Sequence, residues 1–154
     1  MTRLTNFLFI FLVASLVCLP GCNPKANQNQ NPVVKTTSGN VSGSIDDGIF
    51  VFKGIPYAKA ERFMPPQDPD SWEGVLECYD FGPVARQIVP WYPDSIQNEN
   101  ELFSVNVWTQ GLSDGKKRPV MLWLHGGGFH VGASNDPMTY GKALAEKGDV
   151  VMVS

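Results

Sequence analysis

The chain has 154 residues, the length of about one domain, and its hydrophobic and charged contents of 43% and 18% leave enough apolar surface for a globular core. The formal net charge is −3 and no basic patch is visible, so nucleic acid is not expected as a partner. Of the three cysteines only Cys78 lies outside the apolar leader, which excludes a disulfide within the body of the chain and favours a small buried hydrophobic role over a catalytic thiol.

Residues 1–21 have the pattern of a secretory signal. Arg3 gives a positive start, and residues 7–19 are almost wholly apolar but too short to span a bilayer comfortably. The ending Leu-Pro-Gly before Cys22 is similar to a bacterial lipobox, which predicts cleavage after residue 21 and a lipid on Cys22. The alternatives are an ordinary cleaved signal and an uncleaved anchor. We therefore expect an exported protein of the cell envelope that is attached to a membrane through Cys22.

Residues 22–32 are expected to form a disordered tether between this lipid and a folded domain. Residues 23–32 are polar, low in complexity and without an apolar period. The folded domain is then expected over residues 33–154.

The first part of that domain is predicted to be a small antiparallel β-meander. Short β-rich runs occur at 33–36, 40–45 and 49–52, and turn signals separate them. Pro56 excludes a central strand at its position, since proline cannot donate to a sheet ladder. The proline-rich stretch 59–98 is expected to consist mainly of loops.

The second part of the domain has a strand, turn, helix, strand order. Strands are predicted over 102–108, over 120–124 and from 149 to the end, and the strand over 120–124 is expected to be buried. A helix is predicted over 138–147, with Gly148 as its C-terminal cap. This order is a βαβ unit, which makes the sheet at least partly parallel and the fold α/β. Because the sequence stops inside the last apolar strand, we expect it to be the first part of a larger domain.

Three consecutive glycines, residues 126–128, follow the strand predicted at 120–124. Gly127 and Gly132 have the spacing of a phosphate-binding loop, but Ala133 occupies the position of the required lysine. Val131 likewise breaks a dinucleotide fingerprint that would start at Gly126. Two interpretations remain on spacing alone, a flexible turn without chemistry and an oxyanion hole built from backbone N–H groups.

An oxyanion hole requires a nucleophile, and the sequence contains no Gly-x-Ser-x-Gly motif. The nearest approach surrounds Ser134, where Asp136 occupies the place of the last glycine. The two histidines, His125 and His130, lie too close together to supply a Ser–His pair, and we interpret His125 as a residue that shapes the hole. Cysteine and histidine do not cluster, so neither a metal site nor a cofactor is predicted.

Several short motifs nevertheless occur in one order that resembles the N-terminal part of the type-B carboxylesterases, an α/β-hydrolase family that includes cholinesterases and bacterial esterases. The matching segments are FKGIPYA at 52–58, RF at 62–63, Trp72, FGPxxxQ at 81–87, VNVW at 105–108, PVMLWLHGGGF at 119–129 and GDVV at 148–151. The likeness runs from about residue 33 to residue 154 and predicts the N-terminal part of an α/β-hydrolase sheet.

The resemblance implies a serine ester hydrolase with a Ser–acid–His triad and a small-molecule ester as substrate. On this match Gly127 and Gly128 donate N–H groups to the oxyanion, whereas the nucleophile, acid and histidine lie beyond Ser154. A segment without them is expected to be inactive alone. The alternatives are a non-catalytic, esterase-like surface binding module and a truncated gene remnant.

The sequence departs from the family pattern at two linked positions. Ala85 replaces a family cysteine, and the partner cysteine is missing from the stretch 100–103. Both halves of the family disulfide are therefore absent, and the loop around Trp91 and Tyr92 loses a closure restraint, so we expect it to be more mobile.

A further departure concerns a charge pair. The arginine that matches Arg62 often pairs in the family with a glutamate, which Asn100 replaces here. We expect Glu99 or Glu101 to take over that pairing.

Overall fold

The computed structural model describes residues 31–91, 97–99 and 101–154. The predicted signal, Cys22 and nearly all of the predicted tether lie outside the described residues, as do Tyr92 and Asn100. In the described ranges no helix has the length and apolar character needed to cross a bilayer.

The described elements form two sheets and one α-helix. They are β1 (Val33–Lys35), β2 (Asn40–Ser42), β3 (Ser44–Asp46), β4 (Ile49–Pro56), β5 (Val75–Glu77), β6 (Ser104–Thr109), β7 (Val120–Leu122), a 3₁₀ turn (Pro137–Thr139), α1 (Lys142–Gly148) and β8 (Val151–Val153). The small sheet has the order β1-β2-β5, and the larger one has the order β3-β4-β6-β8-β7.

The βαβ prediction is confirmed by the pairing of β7 with β8. The two strands are parallel, with Val120 opposite Val151 and Leu122 opposite Val153, and α1 lies between them in the chain. All other neighbours in the larger sheet are antiparallel. The result is a mixed sheet with its parallel pair at one edge.

The predicted antiparallel pairing of the N-terminal runs is confirmed, but the run 40–45 breaks and is shared between the two sheets. The break falls at Gly43, where a Cβ atom would lie 2.4 Å from the carbonyl oxygen of Val51. Before the break β2 pairs with β1 and, in parallel, with β5; after it β3 forms a hairpin with β4. Strand β5 lies in the stretch predicted as loop, and at three residues it is too short to show an alternating pattern.

Pro56 was predicted to exclude a central strand, and this is confirmed, because β4 ends at Pro56 and has only β6 as a described partner there. The ladder shifts register between Phe52 and Ile55 at a bulge where Gly54 has φ 68°. The ladder with β3 stops at Val51, so at Pro56 the strand β4 has β6 as its partner and needs no second N–H bond.

The main core lies between α1 and the larger sheet. Its buried members are Ile49, Val51, Trp108, Ala145 and Met152. Trp108 is fully buried and meets Tyr140 edge to face at 5.2 Å between ring centroids. This packing holds the helix over the sheet and so fixes where the chain enters β8.

A second core fills the space between the two sheets, with Val41, Phe52 and Cys78 buried in it. Cys78 is 1% exposed, and burial raises the pKa of its thiol. The prediction of Cys78 as a small hydrophobic residue is thereby confirmed.

Helix α1 is shorter than predicted and ends one residue later. The Asp136 side chain accepts a 2.9 Å hydrogen bond from the N–H of Met138, which starts a separate 3₁₀ turn before the helix begins at Lys142. Gly148 is the last helical residue rather than the cap, and Asp149 takes the left-handed conformation with φ 45°. Aspartate tolerates that conformation better than most residues because its short polar side chain can bond locally.

The strand predicted as buried over 120–124 is an exposed edge strand. Val120, Met121 and Leu122 in β7 are 68%, 45% and 61% exposed. The strand pairs with β8 on one side, while no described strand pairs with its other side. The apolar pattern identified the strand correctly but did not fix what covers it.

A buried arginine connects the turn before β7 to the end of α1. The Arg118 side chain is 6% exposed; its Nε donates to Asp149 at 2.7 Å, and its two terminal nitrogens donate to the Asp114 carboxylate at 3.0 and 2.7 Å. These bonds lower the pKa of Asp114 to about 2 and also lower the pKa of Asp149. The start of β7 is thus held against the residue that ends the helix.

This charge cluster predicts a specific acid dependence of stability. The folded-state pKa of Asp114 lies below its unfolded value of about 3.9, so its contribution is fully present above that value and is lost as pH falls towards about 2. We expect Asp114→Asn to lower the free energy of unfolding at pH 7 and the difference from wild type to disappear near pH 2. Urea unfolding between pH 2 and pH 7 measures this.

The matched control is Asp68→Asn, because Asp68 forms no ion pair within the described residues. The control should follow the wild type at every pH. An Asp114→Asn difference that stayed constant from pH 7 to pH 2 would contradict the ionic origin of the effect.

Candidate active site

The glycine turn begins where the parallel pair ends. The N–H of Trp123 donates to the carbonyl of Val153 at 2.8 Å, the last ladder contact before the chain leaves the sheet. His125 then folds back, and its Nδ1 lies 2.8 Å from the carbonyl oxygen of Gly126. Because a carbonyl can only accept, Nδ1 is the donor in this contact. This contact agrees with the predicted role of His125 in shaping the turn.

The turn itself needs glycine for geometric reasons. Gly127 and Gly128 have φ values of 121° and 61°. The Gly127 carbonyl accepts from the N–H of His130 at 3.1 Å and of Val131 at 3.2 Å, which curls the chain tightly. A Cβ atom on Gly127 would lie 1.7 Å from the carbonyl oxygen of Val131. A side chain at this position is therefore excluded both by conformation and by contact.

The N–H groups of Gly127 and Gly128 are unused among the described residues. No hydrogen bond within the described part of the chain takes either of them as donor, and both residues are exposed. Consecutive backbone N–H groups that are fixed by a tight turn can bind an anion without the reorganisation that flexible side chains would need. The structure thus presents the two predicted donors as free groups on a constrained backbone.

The return limb of the turn is held by two buried amide side chains that the sequence analysis did not single out as site residues. Gln87 accepts from the N–H of Gly132 at 2.8 Å and donates to its carbonyl at 3.1 Å. Asn106 donates to the hydroxyl of Ser134 at 3.1 Å and accepts from the N–H of Gly54 at 3.0 Å. Gln87 ends the motif FGPxxxQ, and Asn106 interrupts the apolar motif VNVW. A polar residue within such a motif is the signal that could have identified each of them as a buried, hydrogen-bonded amide.

Beside the turn lies an open cleft of about 580 Å³ that β7 and the return limb share. Its walls include Tyr57, Val84, Leu122, Leu124, His125 and Ser134. Asn135 also lines it, with an Oδ1 that is buried without a hydrogen-bond partner among the described residues. Gly127 and Gly128 are not part of its lining, whereas His125, which precedes them in the chain, is.

The described residues do not assemble a nucleophile and base. The Ser134 hydroxyl accepts a hydrogen bond from Asn106, and neither histidine side chain forms a hydrogen bond with it within the described ranges. His130 is exposed on the turn, as predicted for a loop residue. No cluster of metal-binding side chains is present in the portion of the chain that the structure covers.

The expected replacement of the family charge pair is found at Glu99. Its Oε2 lies 3.4 Å from Nη1 of Arg62, and the two side chains are 50% and 75% exposed. At that exposure the pair contributes little to stability, so it restrains the loop only weakly.

The fold and the turn together define part of an α/β-hydrolase, with a glycine turn at the carboxyl end of a parallel strand. The chain matches the carboxylesterase family over residues 30–154. It therefore belongs to the carboxylesterase family.

Its relatives are esterases and hydrolases. It is 35% identical over 130 residues to the para-nitrobenzyl esterase of Bacillus subtilis strain 168. The matched region covers 79% of this chain and 26% of that protein. It is 34% identical to a phenmedipham hydrolase of Pseudarthrobacter oxydans, over 80% of this chain and 27% of the relative. The crystal structure of a Geobacillus stearothermophilus carboxylesterase matches with a TM-score of 0.69 and 45% identity, over 79% of this chain and 25% of that one. The chain thus spans about a quarter of the length of these relatives.

The geometry of the turn predicts a graded response to alanine at three adjacent positions. Gly126→Ala should leave stability unchanged or slightly raised, because nothing lies within 4 Å of the added Cβ and its φ is not positive. Gly128→Ala should cost about 1–2 kcal/mol, because alanine must adopt the left-handed conformation. Gly127→Ala should cost more than Gly128→Ala, because the collision with Val131 is added to the backbone strain. Urea unfolding of the three variants tests this order, and equal losses at 126 and 127 would contradict it.

Proposed function

We propose that this chain is the part of a carboxylic-ester hydrolase that supplies two oxyanion-hole donors, the N–H groups of Gly127 and Gly128. The observation that carries the proposal is that both groups lie on a constrained turn and donate to no acceptor in the part of the chain that the structure describes. In this proposal the serine nucleophile, the acid and the histidine belong to sequence beyond Ser154, since the 154 residues contain no Gly-x-Ser-x-Gly motif.

The chemistry follows from where charge develops. When a serine hydroxyl attacks an ester carbonyl, the carbonyl oxygen becomes an oxyanion in the tetrahedral intermediate. Fixed N–H donors stabilise this oxygen more than the neutral carbonyl of the substrate, which lowers the barrier rather than only tightening binding. Each such donor is worth about 10²–10³-fold in rate.

The substrate proposed is a small-molecule carboxylic ester. Two relatives are named as esterases, a para-nitrobenzyl esterase and a cocaine esterase. The cleft beside the turn supports an apolar ligand group, because Val84, Leu122 and Leu124 line it.

A chimera tests the proposed function. In it, residues 31–154 replace the matching segment of the Bacillus subtilis para-nitrobenzyl esterase, which then supplies the remaining three quarters of the enzyme. We expect the chimera to hydrolyse a para-nitrophenyl ester. We expect Gly128→Ala, whose added Cβ meets no atom within 4 Å but must hold a left-handed φ, to lower kcat with a much smaller change in KM. Steady-state kinetics measure both constants, and Asp68→Asn is the control for an exposed site remote from the turn.

The chain of 154 residues by itself should neither turn over the ester nor react with a serine-directed fluorophosphonate. Turnover by the isolated chain, or a chimera that melts cooperatively yet lacks activity, would overturn the proposal. The second result would favour a binding module of the same fold.

We also propose that the protein is exported and anchored in the cell envelope by a lipid on Cys22. The support is the sequence of residues 1–22, which has a positive start, an apolar segment and a lipobox-like ending. Residues 23–32 would then act as the tether between the membrane surface and the domain.

Metabolic labelling tests this anchoring. In a bacterial host fed an alkyne-tagged fatty acid, the wild-type chain should carry the label and Cys22→Ser should lose it. Cys78→Ser is the matched control and should keep the label, because Cys78 is buried in the core. Label retained in Cys22→Ser would exclude the lipobox interpretation.

A further inference from the structure

Gln87 connects the loop-rich segment, residues 59–98, to the glycine turn by hydrogen bonds. Its side-chain amide meets the backbone of Gly132 as a second strand would, with Oε1 accepting at 2.8 Å and Nε2 donating at 3.1 Å. Both polar groups of one backbone residue are therefore taken by one side chain. Such a two-way contact fixes position and orientation together, which a single hydrogen bond does not.

Gly132 in turn touches the first limb of the glycine turn. Its φ is 113°, and a Cβ atom there would lie 2.4 Å from the carbonyl oxygen of Gly126 and 2.5 Å from Nδ1 of His125. The two limbs of the turn are thus in contact at their base. Any displacement of Gly132 is transmitted to the backbone that immediately precedes Gly127.

Gln87 is itself held in place. Its side chain is largely buried, with the residue 8% exposed. Its N–H donates to Oε1 of Gln97 at 2.8 Å, and Nε2 also donates to the carbonyl of Ala85 at 3.2 Å. Close by, Val84 packs against Ala133, the residue that follows Gly132. The amide therefore presents a fixed donor and a fixed acceptor to the turn.

We propose that Gln87 is a positioning residue that orients the N–H groups of Gly127 and Gly128 by clamping Gly132 at the base of the glycine turn. An effect of Gln87 on catalysis rests on the function proposed above, in which these two N–H groups bind the oxyanion. The clamp requires one donor and one acceptor at the end of the same side chain, and a carboxylate, which only accepts, cannot replace the amide.

A protonated carboxyl group, however, offers both a donor and an acceptor. Gln87→Glu should therefore behave like wild type when the introduced carboxyl is protonated and should fail when it is ionised, because the carboxylate repels the carbonyl of Gly132. Burial raises the pKa of that carboxyl above its ordinary value of about 4.3, which brings the transition into an accessible range. Gln87→Met fills a similar volume and should fail at every pH.

The experiment uses the full chain labelled with ¹⁵N and records amide exchange of Gly132 and the heteronuclear NOE of Gly127 and Gly128 from pH 5 to pH 8. Gln87→Met should reduce the protection factor of the Gly132 amide about tenfold and lower both NOE values. Gln87→Glu should resemble wild type at pH 5 and Gln87→Met at pH 8. Wild type is measured at each pH as the reference, because the turn itself carries His125 and His130.

The matched control is Gln110→Met. Gln110 also donates its side-chain amide to backbone carbonyls, those of Ala145 and Glu146 at the end of α1. This variant should alter signals from α1 and leave the turn at wild-type values. A turn unaffected by Gln87→Met, or a Gln87→Glu response without pH dependence, would overturn the proposal.

The chimera separates this inference from the proposed function. If the wild-type chimera is active, Gln87→Met should lower kcat much more than it changes KM, as expected when donors are misplaced for the transition state. Unchanged kcat in that variant would overturn the positioning role. An inactive wild-type chimera removes the proposed function, whereas the pH-dependent contact with Gly132 is measured without any activity.

Discussion

The side chain of Asn106 is the polar contact on which the arrangement of the site depends. It is 1% exposed in the middle of β6, and it accepts from the N–H of Gly54 while donating to the hydroxyls of Ser134 and Ser154 at 3.1 and 3.3 Å. A buried amide is tolerated only when its donors and acceptors are matched. Satisfying Asn106 therefore requires the bulge of β4, the end of β8 and the return limb of the glycine turn to meet at one point.

The core around Trp108 and the charge cluster around Arg118 hold the elements that flank the glycine turn. Trp108 fixes α1 over the sheet, and Arg118 ties the beginning of β7 to Asp149, where the helix ends. The strand that leads to the glycine turn is thus held at its start by charge and along its length by the ladder with β8. The turn can be strained because the elements on both sides of it are fixed.

The chemistry proposed for this chain resides in its backbone rather than in its side chains. Gly127 and Gly128 offer N–H groups, while the nearby side chains of Gln87 and His125 contact the turn and complete its shape. Because backbone N–H groups are not ionisable, a site of this kind is not marked by charged side chains or by shifted pKa values. It is recognised by glycines whose conformation and packing exclude any other residue, and by donors that no internal bond consumes.

The sequence by itself determined the βαβ unit, the glycine turn, the absence of a Gly-x-Ser-x-Gly nucleophile motif and the family resemblance, because these depend on local patterns and motif order. Tertiary structure decided the division of the chain at Gly43, the bulge of β4 before Pro56 and the exposure of β7, since each depends on which strand lies alongside. It also decided the clamps of Gln87 on Gly132 and of Asn106 on Gly54, which join residues 45 and 52 positions apart. Local propensity carries no information about such contacts, because only folding brings the buried amides to their partners.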